Sequence, residues 1–337
     1  MVLSLNLEKD SYDIVVLSGA LNSAGEYLSL RRKVLILTDS GVPREYAEAV
    51  KSASQNGFIY VLPEGEGSKS FDNFKNILSF MAENNFTRTD CLVSVGGGVV
   101  GDLGGFVASS YMRGIDFYNV PTTLLSQLDS SIGGKVAIDL DGYKNIVGAF
   151  YQPKKVIIDP LTLKTLDKRQ KMAGLCEAIK MAATSDKELF KLIENAKDLD
   201  SELENIIVGG LLIKKSVVEA DPYEKGLRKV LNFGHTIGHA IESSLGLGTL
   251  LHGECVAIGM LPMCAKSVRP RLEKVLKKYS LPTNIDTDAD VLISYIKNDK
   301  KSSGAKITVC QVPKIGEFSL VEINIEDMKK YIEGEEF

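Results

Sequence analysis

The chain has 337 residues, 44% of them apolar and 25% charged, with a formal net charge of -4. That length exceeds what one core comfortably serves, so two domains are expected, 1–160 and 161–337. The slightly acidic balance, without a basic cluster interleaved with aromatics, excludes a nucleic-acid platform, and no run approaches the ~20 apolar residues of a membrane span. Five cysteines are odd in number and scattered, without a Cys-x-x-Cys pair, so reduced thiols and a cytoplasmic location are expected, with neither nucleic acid nor membrane as a partner. Acidic and basic residues arrive too early, at Glu8 and Lys9, for a secretory apolar core.

In chain order, Val34–Asp39, Gly57–Leu62 and Asp90–Val95 read as short apolar strands, each ending at a polar or glycine-rich turn. Strands that are apolar throughout, with helical patterns between them, predict a Rossmann-like parallel α/β sheet whose ligands bind beyond the carboxyl ends of the strands. After Asp159-Pro160 the apolar spacing becomes three to four over Met172–Ala183, Lys187–Ala196, Leu203–Glu219, Asn232–Leu245, Glu254–Ser267 and Arg271–Tyr279. A mainly α-helical second domain is expected, with one late strand at Lys306–Val312 and a closing helix near Ile325–Glu333.

Gly96-Gly97-Gly98-Val99-Val100-Gly101-Asp102 follows a strand and opens a helix, so its amides could take a pyrophosphate. An equally simple reading is a tight turn in which the glycines only relieve crowding. Asp39 could accept from a ribose hydroxyl or cap a helix. Thr122, Thr123, Asp129, Lys135, Lys144, Asn145 and Arg113 supply hydroxyls, a carboxylate, an amide and cations suited to a small phosphorylated, hydroxylated ligand, although a lysine taken singly is more often a solvated charge.

All three histidines fall within eighteen positions, as His235, His239 and His252. Imidazole binds transition metals and moves protons near neutral pH, so this stretch locates the chemistry. His235 and His239 share a helix face, and Thr236 stands where a zinc-protease motif would carry its glutamate. A three-ligand metal site needs a carboxylate, for which Glu177 is the candidate, since an unpaired charge amid small and apolar residues is costly. The plainer alternative is a surface pair between Glu177 and Lys180, three positions on. Cys255 is a weaker ligand candidate in a helix that otherwise reads as core.

The ordered series Gly96–Asp102, Tyr111-Met-Arg113-Gly, Pro121-Thr-Thr-Leu-Leu, Asp129-Ser-Ser-Ile-Gly-Gly-Lys135, Gly148–Pro153, Glu177-Ala-Ile-Lys180, Gly226-Leu-Arg228, Leu231-Asn-Phe-Gly-His-Thr and Leu251-His-Gly-Glu resembles 3-dehydroquinate synthase over most of the chain. The resemblance implies an NAD-binding α/β domain and a helical domain binding one divalent metal ion, Zn or Co, that closes over the substrate, usually in a homodimer. The implied reaction takes 3-deoxy-D-arabino-heptulosonate 7-phosphate, a phosphorylated sugar acid, to 3-dehydroquinate and phosphate in the shikimate pathway. It runs by transient oxidation, β-elimination, reduction and intramolecular aldol closure. By resemblance, Glu177, His235 and His252 are the metal ligands, while His239 belongs to the catalytic and phosphate-contacting set.

Asp39, Glu66, Lys69, Gly97, Gly98, Val99, Val100, Gly101, Asp102, Thr122, Thr123, Thr162 and Thr165 match NAD contacts, and Lys135 and Lys144 are assigned to both cofactor and substrate. Asp129, Asn145, Lys180, Lys214, Arg228, Asn232 and one of Lys300 or Lys301 match substrate positions, and Arg113 matches a residue that reaches the neighbouring subunit's phosphate site. The chain departs from the family pattern at Ile138-Asp-Leu-Asp141 and Gly142-Tyr-Lys-Asn145, read as a loop bordering cofactor and substrate, where a glycine is displaced and an acidic pair enters. That change leaves room for a relative such as 2-deoxy-scyllo-inosose synthase or an epi-valiolone synthase. A separate alternative is a metal-dependent polyol dehydrogenase of the glycerol dehydrogenase type, which resembles this plan of two domains with NAD and metal but performs net redox. Arg228, Lys214 and the Asp299-Lys-Lys segment, suited to a carboxylate and a phosphate, favour dehydroquinate.

Overall fold

The computed structural model describes residues 1–246, 248–299 and 306–334. It divides into two compact units, Met1–Asp167 and Lys168–Phe337. Among the described residues no helix is long and apolar enough to cross a membrane.

The first unit contains β1 (Val2–Leu5), β2 (Tyr12–Val16), β3 (Lys33–Asp39), β4 (Asn56–Leu62), β5 (Cys91–Gly96), β6 (Asp116–Pro121), β7 (Lys135–Leu140), β8 (Tyr143–Phe150) and β9 (Lys155–Ile158). Its helices are α1 (Ala24–Tyr27), α2 (Arg44–Ser52), α3 (Phe71–Glu83) and α4 (Gly98–Ser110). Seven strands form one sheet in the order β1-β2-β9-β6-β5-β3-β4, parallel except for the edge strand β1. The expected α/β sheet is therefore present, and its central strands β3 and β5 are buried on both faces, while the edge strand β4 is half-buried. In β3, Val34 and Ile36 join a core with Val50 of α2, whereas Leu35 and Leu37 join another with Ile77 of α3 and Leu103 of α4. Alternate side chains of a strand point to opposite faces, which is why a run with no polar break needs helices on both sides.

β4 lies outside β3 at the sheet edge and β5 lies on the other side of β3, so the winding reverses between β3 and β5. Asp39 ends β3 and Gly96 ends β5, which puts both at the point where such sheets open a crevice. Two features of this unit were not expected. Residues Ser126–Ser130 form a wide π-type turn that contains Asp129. The stretch expected as a loop over 138–145 is a hairpin, in which Leu140 faces Tyr143 across Asp141 (φ 48°) and Gly142 (φ 84°). Two successive left-handed residues match the twist of paired strands, so Asp-Gly is a turn signal in its own right.

The second unit is mainly helical, with α5 (Lys168–Ser185), α6 (Lys187–Asn195), α7 (Leu199–Ala220), α8 (His235–Leu245), α9 (His252–Met260), α10 (Arg269–Lys278), α11 (Ala289–Asp299) and α12 (Met328–Ile332). β10 (Lys306–Lys314) and β11 (Glu317–Asn324) form an antiparallel pair. Every residue of α5 from Ala173 to Thr184 is buried, including Glu177 and Lys180, so it is the central helix of the unit. Two expected boundaries shift. The stretch Leu227–Asn232 is a 3-10 segment, and α8 starts only after Gly234 turns the chain at φ 78°. The helix expected over Glu254–Ser267 stops at Met260, after which Cys264 bridges to Val312.

Candidate active site

In the first unit the glycine turn opens α4, which has no side-chain cap at its amino end. A Cβ on Gly97 would lie 3.1 Å from Thr123 Cγ2, so the backbone is bare on the side that Thr123 lines. An uncapped helix start flanked by a hydroxyl fits an anion such as a pyrophosphate. Asp39 is engaged locally: its Oδ1 accepts the Gly41 N–H at 2.8 Å, making a turn rather than the helix cap weighed from sequence. Burial raises the Asp39 pKa against the opposing backbone donors of Gly41 and Val42.

Three candidates meet at the amine of a fourth. Lys69 is 4% exposed; its Nζ donates to Asp102 Oδ2 at 2.9 Å and to Asn145 Oδ1, and lies 3.3 Å from Glu66 Oε1. Burial opposes the lysine charge, but Asp102 and Glu66 outweigh it and raise its pKa. Burial pushes Asp102 up to about 6, with Lys69 limiting the rise.

The remaining first-unit candidates are more dispersed. The Thr122 N–H donates to Gly96 O, and the Thr123 hydroxyl accepts from Ser126 N at 3.2 Å. Thr162 Oγ1 donates to Asp159 O and accepts from Gln127, while Thr165 Oγ1 donates to Thr162 O and pairs with Tyr46. Asp129 sits in the π-type turn. Lys135 begins β7 and Lys144 lies near the hairpin turn of β8, both exposed. Arg113, at φ 68°, precedes the amino end of β6, away from the carboxyl-end turns that carry the other candidates.

In the second unit three helices converge. A Cβ on Gly253 would fall 1.9 Å from Ala173 O of α5, and one on Gly259 would fall 2.1 Å from Gly234 O. Only glycine permits α9 to approach α5 and the start of α8 so closely. That approach brings His252 and His235 to Glu177, whose Oε1 lies 3.8 Å from His235 Nε2 and 3.9 Å from His252 Nε2. Glu177 Oε1 accepts no hydrogen bond among the described residues, although the group is 0% exposed. Lys180 Nζ reaches the other oxygen, Oε2, so the alternative pair also exists, but it is buried rather than on a wet face.

Both imidazoles present Nε2 to the carboxylate because Nδ1 is engaged elsewhere. His235 Nδ1 lies 3.3 Å from Phe233 O, and His252 Nδ1 lies 3.3 Å from Glu242 Oε2. Burial, with Lys180 and the other imidazoles, holds the His235 pKa well below its ordinary value. Burial also acts against His252, but the Glu242 hydrogen bond and the Glu177 carboxylate outweigh it and raise its pKa. Tetrahedral zinc would space its ligand atoms by ~3.4 Å, so two bare nitrogens and an orphaned carboxylate oxygen at these separations fit a divalent cation with open positions. His239 gathers with them, its ring 5.3 Å from His235 and 5.6 Å from His252, and one ligand nitrogen from each of the three histidines lies within 4.8 Å of the others. His235 and His252 in addition face the Glu177 carboxylate. Cys255 is buried in α9 and is not part of that group among the described residues.

The cationic candidates of this unit are deeply placed, with Lys180 at 1%, Lys214 at 4% and Arg228 at 4% exposure. Asp221 holds the chain before Arg228, accepting the N–H groups of Lys225, Gly226 and Arg228, while Arg228 Nη1 donates to Pro222 O at 2.7 Å. Asn232 Nδ2 donates to Glu224 Oε1 at 3.0 Å, a partner not foreseen from sequence. Glu242 was also missed, though its spacing from His235 and His239 puts it on their helix face. Glu254 accepts from Leu251 N and pairs with Arg169, closing the start of α9. Lys300 and Lys301 lie outside the described residues.

The fold is shared with solved enzymes. The 2-deoxy-scyllo-inosose synthase complexed with carbaglucose-6-phosphate, NAD+ and Co2+ matches with a TM-score of 0.87 and 25% identity, over 98% of this chain and 99% of that one. The 2-epi-5-epi-valiolone synthase of Streptomyces hygroscopicus subsp. jinggangensis matches with a TM-score of 0.88 and 24% identity, over 98% of each chain. A parallel sheet with an open glycine turn and a helical unit with a histidine–carboxylate cluster thus match structures of the sugar phosphate cyclase class. Within that class the 3-dehydroquinate synthase N-terminal model matches residues 59–173 and the C-terminal model matches 174–302. The 3-dehydroquinate synthase of Clostridium acetobutylicum is 43% identical, with 98% of each chain covered. The chain belongs to the 3-dehydroquinate synthase family.

Proposed function

We propose that this chain converts 3-deoxy-D-arabino-heptulosonate 7-phosphate to 3-dehydroquinate and phosphate, with NAD and one divalent cation, zinc or cobalt, as cofactors. The observation that carries the reading is the buried Glu177 oxygen faced by two imidazole nitrogens at 3.8 and 3.9 Å, in a chain of this family. When bound, the cation supplies Lewis acidity toward a substrate hydroxyl, and NAD takes a hydride and returns it within each turnover.

The chain's own residues position and neutralise. Glu177, His235 and His252 would hold the cation, and the glycine turn at 97–102 would take the cofactor's phosphates, with Asp39 toward a ribose. Lys180, Lys214 and Arg228 bring three cations into buried surroundings, which suits a ligand with both a carboxylate and a phosphate. Asn232 and His239 complete the substrate set of the second unit, and Asp129, Lys135, Lys144 and Asn145 are those of the first. With the substrate's own phosphate as proton acceptor in the elimination, no strong protein base is required, and fixed donors lower the barrier by orientation and charge stabilisation.

The active form in this reading is a cytoplasmic homodimer. The hairpin β7–β8 supports an interface, since Tyr143 is 69% exposed and Ile146 62% exposed on one strand. Arg113, at the amino end of β6, then serves the other subunit's phosphate site. The five cysteines, all buried and none of them in a disulfide, support a reducing compartment.

The test is incubation of the purified protein with NAD, zinc or cobalt and the heptulosonate phosphate, following inorganic phosphate and the cyclised product. Equal release of both without accumulation of NADH is expected. NADH accumulating without phosphate would indicate a dehydrogenase, and preference for a carboxylate-free hexose phosphate would indicate a different cyclase.

A further inference from the structure

The acidic pair that departs from the family pattern stands at the hairpin end of β7–β8, and its first member, Asp139, closes a ring of hydrogen bonds. The Asp139 N–H donates to Lys69 O at 2.8 Å, and Asp139 Oδ1 accepts the N–H of Asn145 at 2.8 Å. Asn145 Oδ1 in turn accepts from Lys69 Nζ. The strand register shifts between Ile138 and Leu140, so Asp139 sits at a bulge, a device that re-aims side chains beside functional sites. Asn145 has φ 55°, in the left-handed region that asparagine enters more readily than most residues, and its N–H is held there by Asp139.

We infer that Asp139 is a positioning residue: by holding the Asn145 backbone in its left-handed state it aims the Asn145 amide at Lys69 and fixes the Lys69 amine between that amide and Asp102. The charges around Lys69 are those of Asp102, Glu66 and, further out, Asp139 itself. Asp139 therefore has a second route of action through its charge, which the experiment separates from the hydrogen bond. The inference rests on the reading above that Lys69 and Asn145 serve cofactor and substrate.

The experiment is a double-mutant cycle on the full chain, with the dissociation constant for NAD alone read by calorimetry and KM for the heptulosonate phosphate read separately. Asp139→Ala is expected to weaken NAD and raise KM by about five- to tenfold, the effect of one lost hydrogen bond. Asp139→Asn keeps an acceptor oxygen in place and is expected to stay within about twofold of wild type. In an Asn145→Gly background there is no amide to aim and φ 55° is relaxed, so adding Asp139→Ala should change either constant by less than about twofold. An undiminished loss in that background, an equal loss from Asp139→Asn, or no loss from Asp139→Ala overturns the inference. Thermal melts accompany each variant. Should the alanine variant unfold, Asp139→Glu displaces the acceptor by one methylene and is expected to show the same loss. Lys69→Ala separates the two levels of the reading. If it leaves NAD binding unchanged, the site assignment falls and this inference with it; if it weakens NAD while Asp139→Ala does not, this inference alone falls.

Discussion

His252 stands between two carboxylates, with Nδ1 3.3 Å from Glu242 Oε2 and Nε2 3.9 Å from Glu177 Oε1. Glu242 thereby fixes which nitrogen faces the cluster and raises the basicity of the ring. Outer partners of this kind are worth ~10–100-fold in metal affinity. Glu242→Ala should weaken Co2+ binding by that factor in a titration followed by visible absorbance, and Glu242→Gln, which can still accept from Nδ1–H, should lose less. Unchanged affinity in both would show that the ring is oriented by packing alone.

Arg228 is held from both ends, its N–H by Asp221 and its Nη1 by Pro222 O, so the guanidinium is presented in one orientation. A charge-assisted hydrogen bond to a substrate carboxylate contributes about 1.5–3 kcal/mol. Arg228→Ala is expected to raise KM for the heptulosonate phosphate by that equivalent, roughly ten- to a hundredfold, and to affect a carboxylate-free analogue far less. Arg228→Lys should not restore the loss, because a point charge lacks the fork. Equal losses on both substrates would remove the carboxylate from Arg228.

The parts legible in the sequence were those whose signal is local. β3, β4 and β5 announce themselves as apolar runs ending at polar turns, and the buried length of α5 around Glu177 follows from its small and apolar neighbours. The histidine cluster was visible because the residue type is rare in this chain. What was not legible depends on distant partners: the position of β9 between β2 and β6, the π-type turn at Asp129, and the choice between ligand and ion pair for Glu177, which is both near imidazoles and against Lys180. The altered stretch 138–145 read as a loop because its acidic residues mask the alternation. Yet Asp141-Gly142 carried the turn signal, and only pairing with β7 shows that Asp139 serves Asn145.

Gly253 adjoins His252 and admits the carbonyl of Ala173 into the space a side chain would fill. A methyl group there would sit 1.9 Å from Ala173 O, which neither helix backbone can yield without moving. Overpacking of this kind costs ~1–3 kcal/mol or more, and each kcal/mol lowers the midpoint of a unit this size by about 2–4 °C. Gly253→Ala should lower the thermal midpoint and weaken metal binding together, since α9 carries His252 with it. A variant with wild-type melting and metal affinity would contradict the close approach of α9 to α5.

Asp102 gives a pH dependence whose sign is fixed by burial. Its pKa of about 6 in the folded chain lies above the ordinary 3.8, so between those values the folded state binds more protons than the unfolded. The group's contribution to stability is then greatest below about pH 4 and falls as pH rises through about 6, by up to roughly 3 kcal/mol. Asp102→Asn imitates the protonated form at every pH. Its thermal midpoint should match wild type near pH 4, rise above wild type through the interval to about 6, and keep that advantage at pH 8. NAD binding should nevertheless weaken in the variant, because Lys69 loses the carboxylate that holds it at 2.9 Å. Stability given up at neutral pH would then be the consequence of keeping a charged pair beside the glycine turn, as functional sites often require. Parallel melts of wild type and variant from pH 4 to 8 decide the matter: a gap that does not vary with pH would mean that Asp102 titrates as an ordinary carboxylate and that burial does not control it.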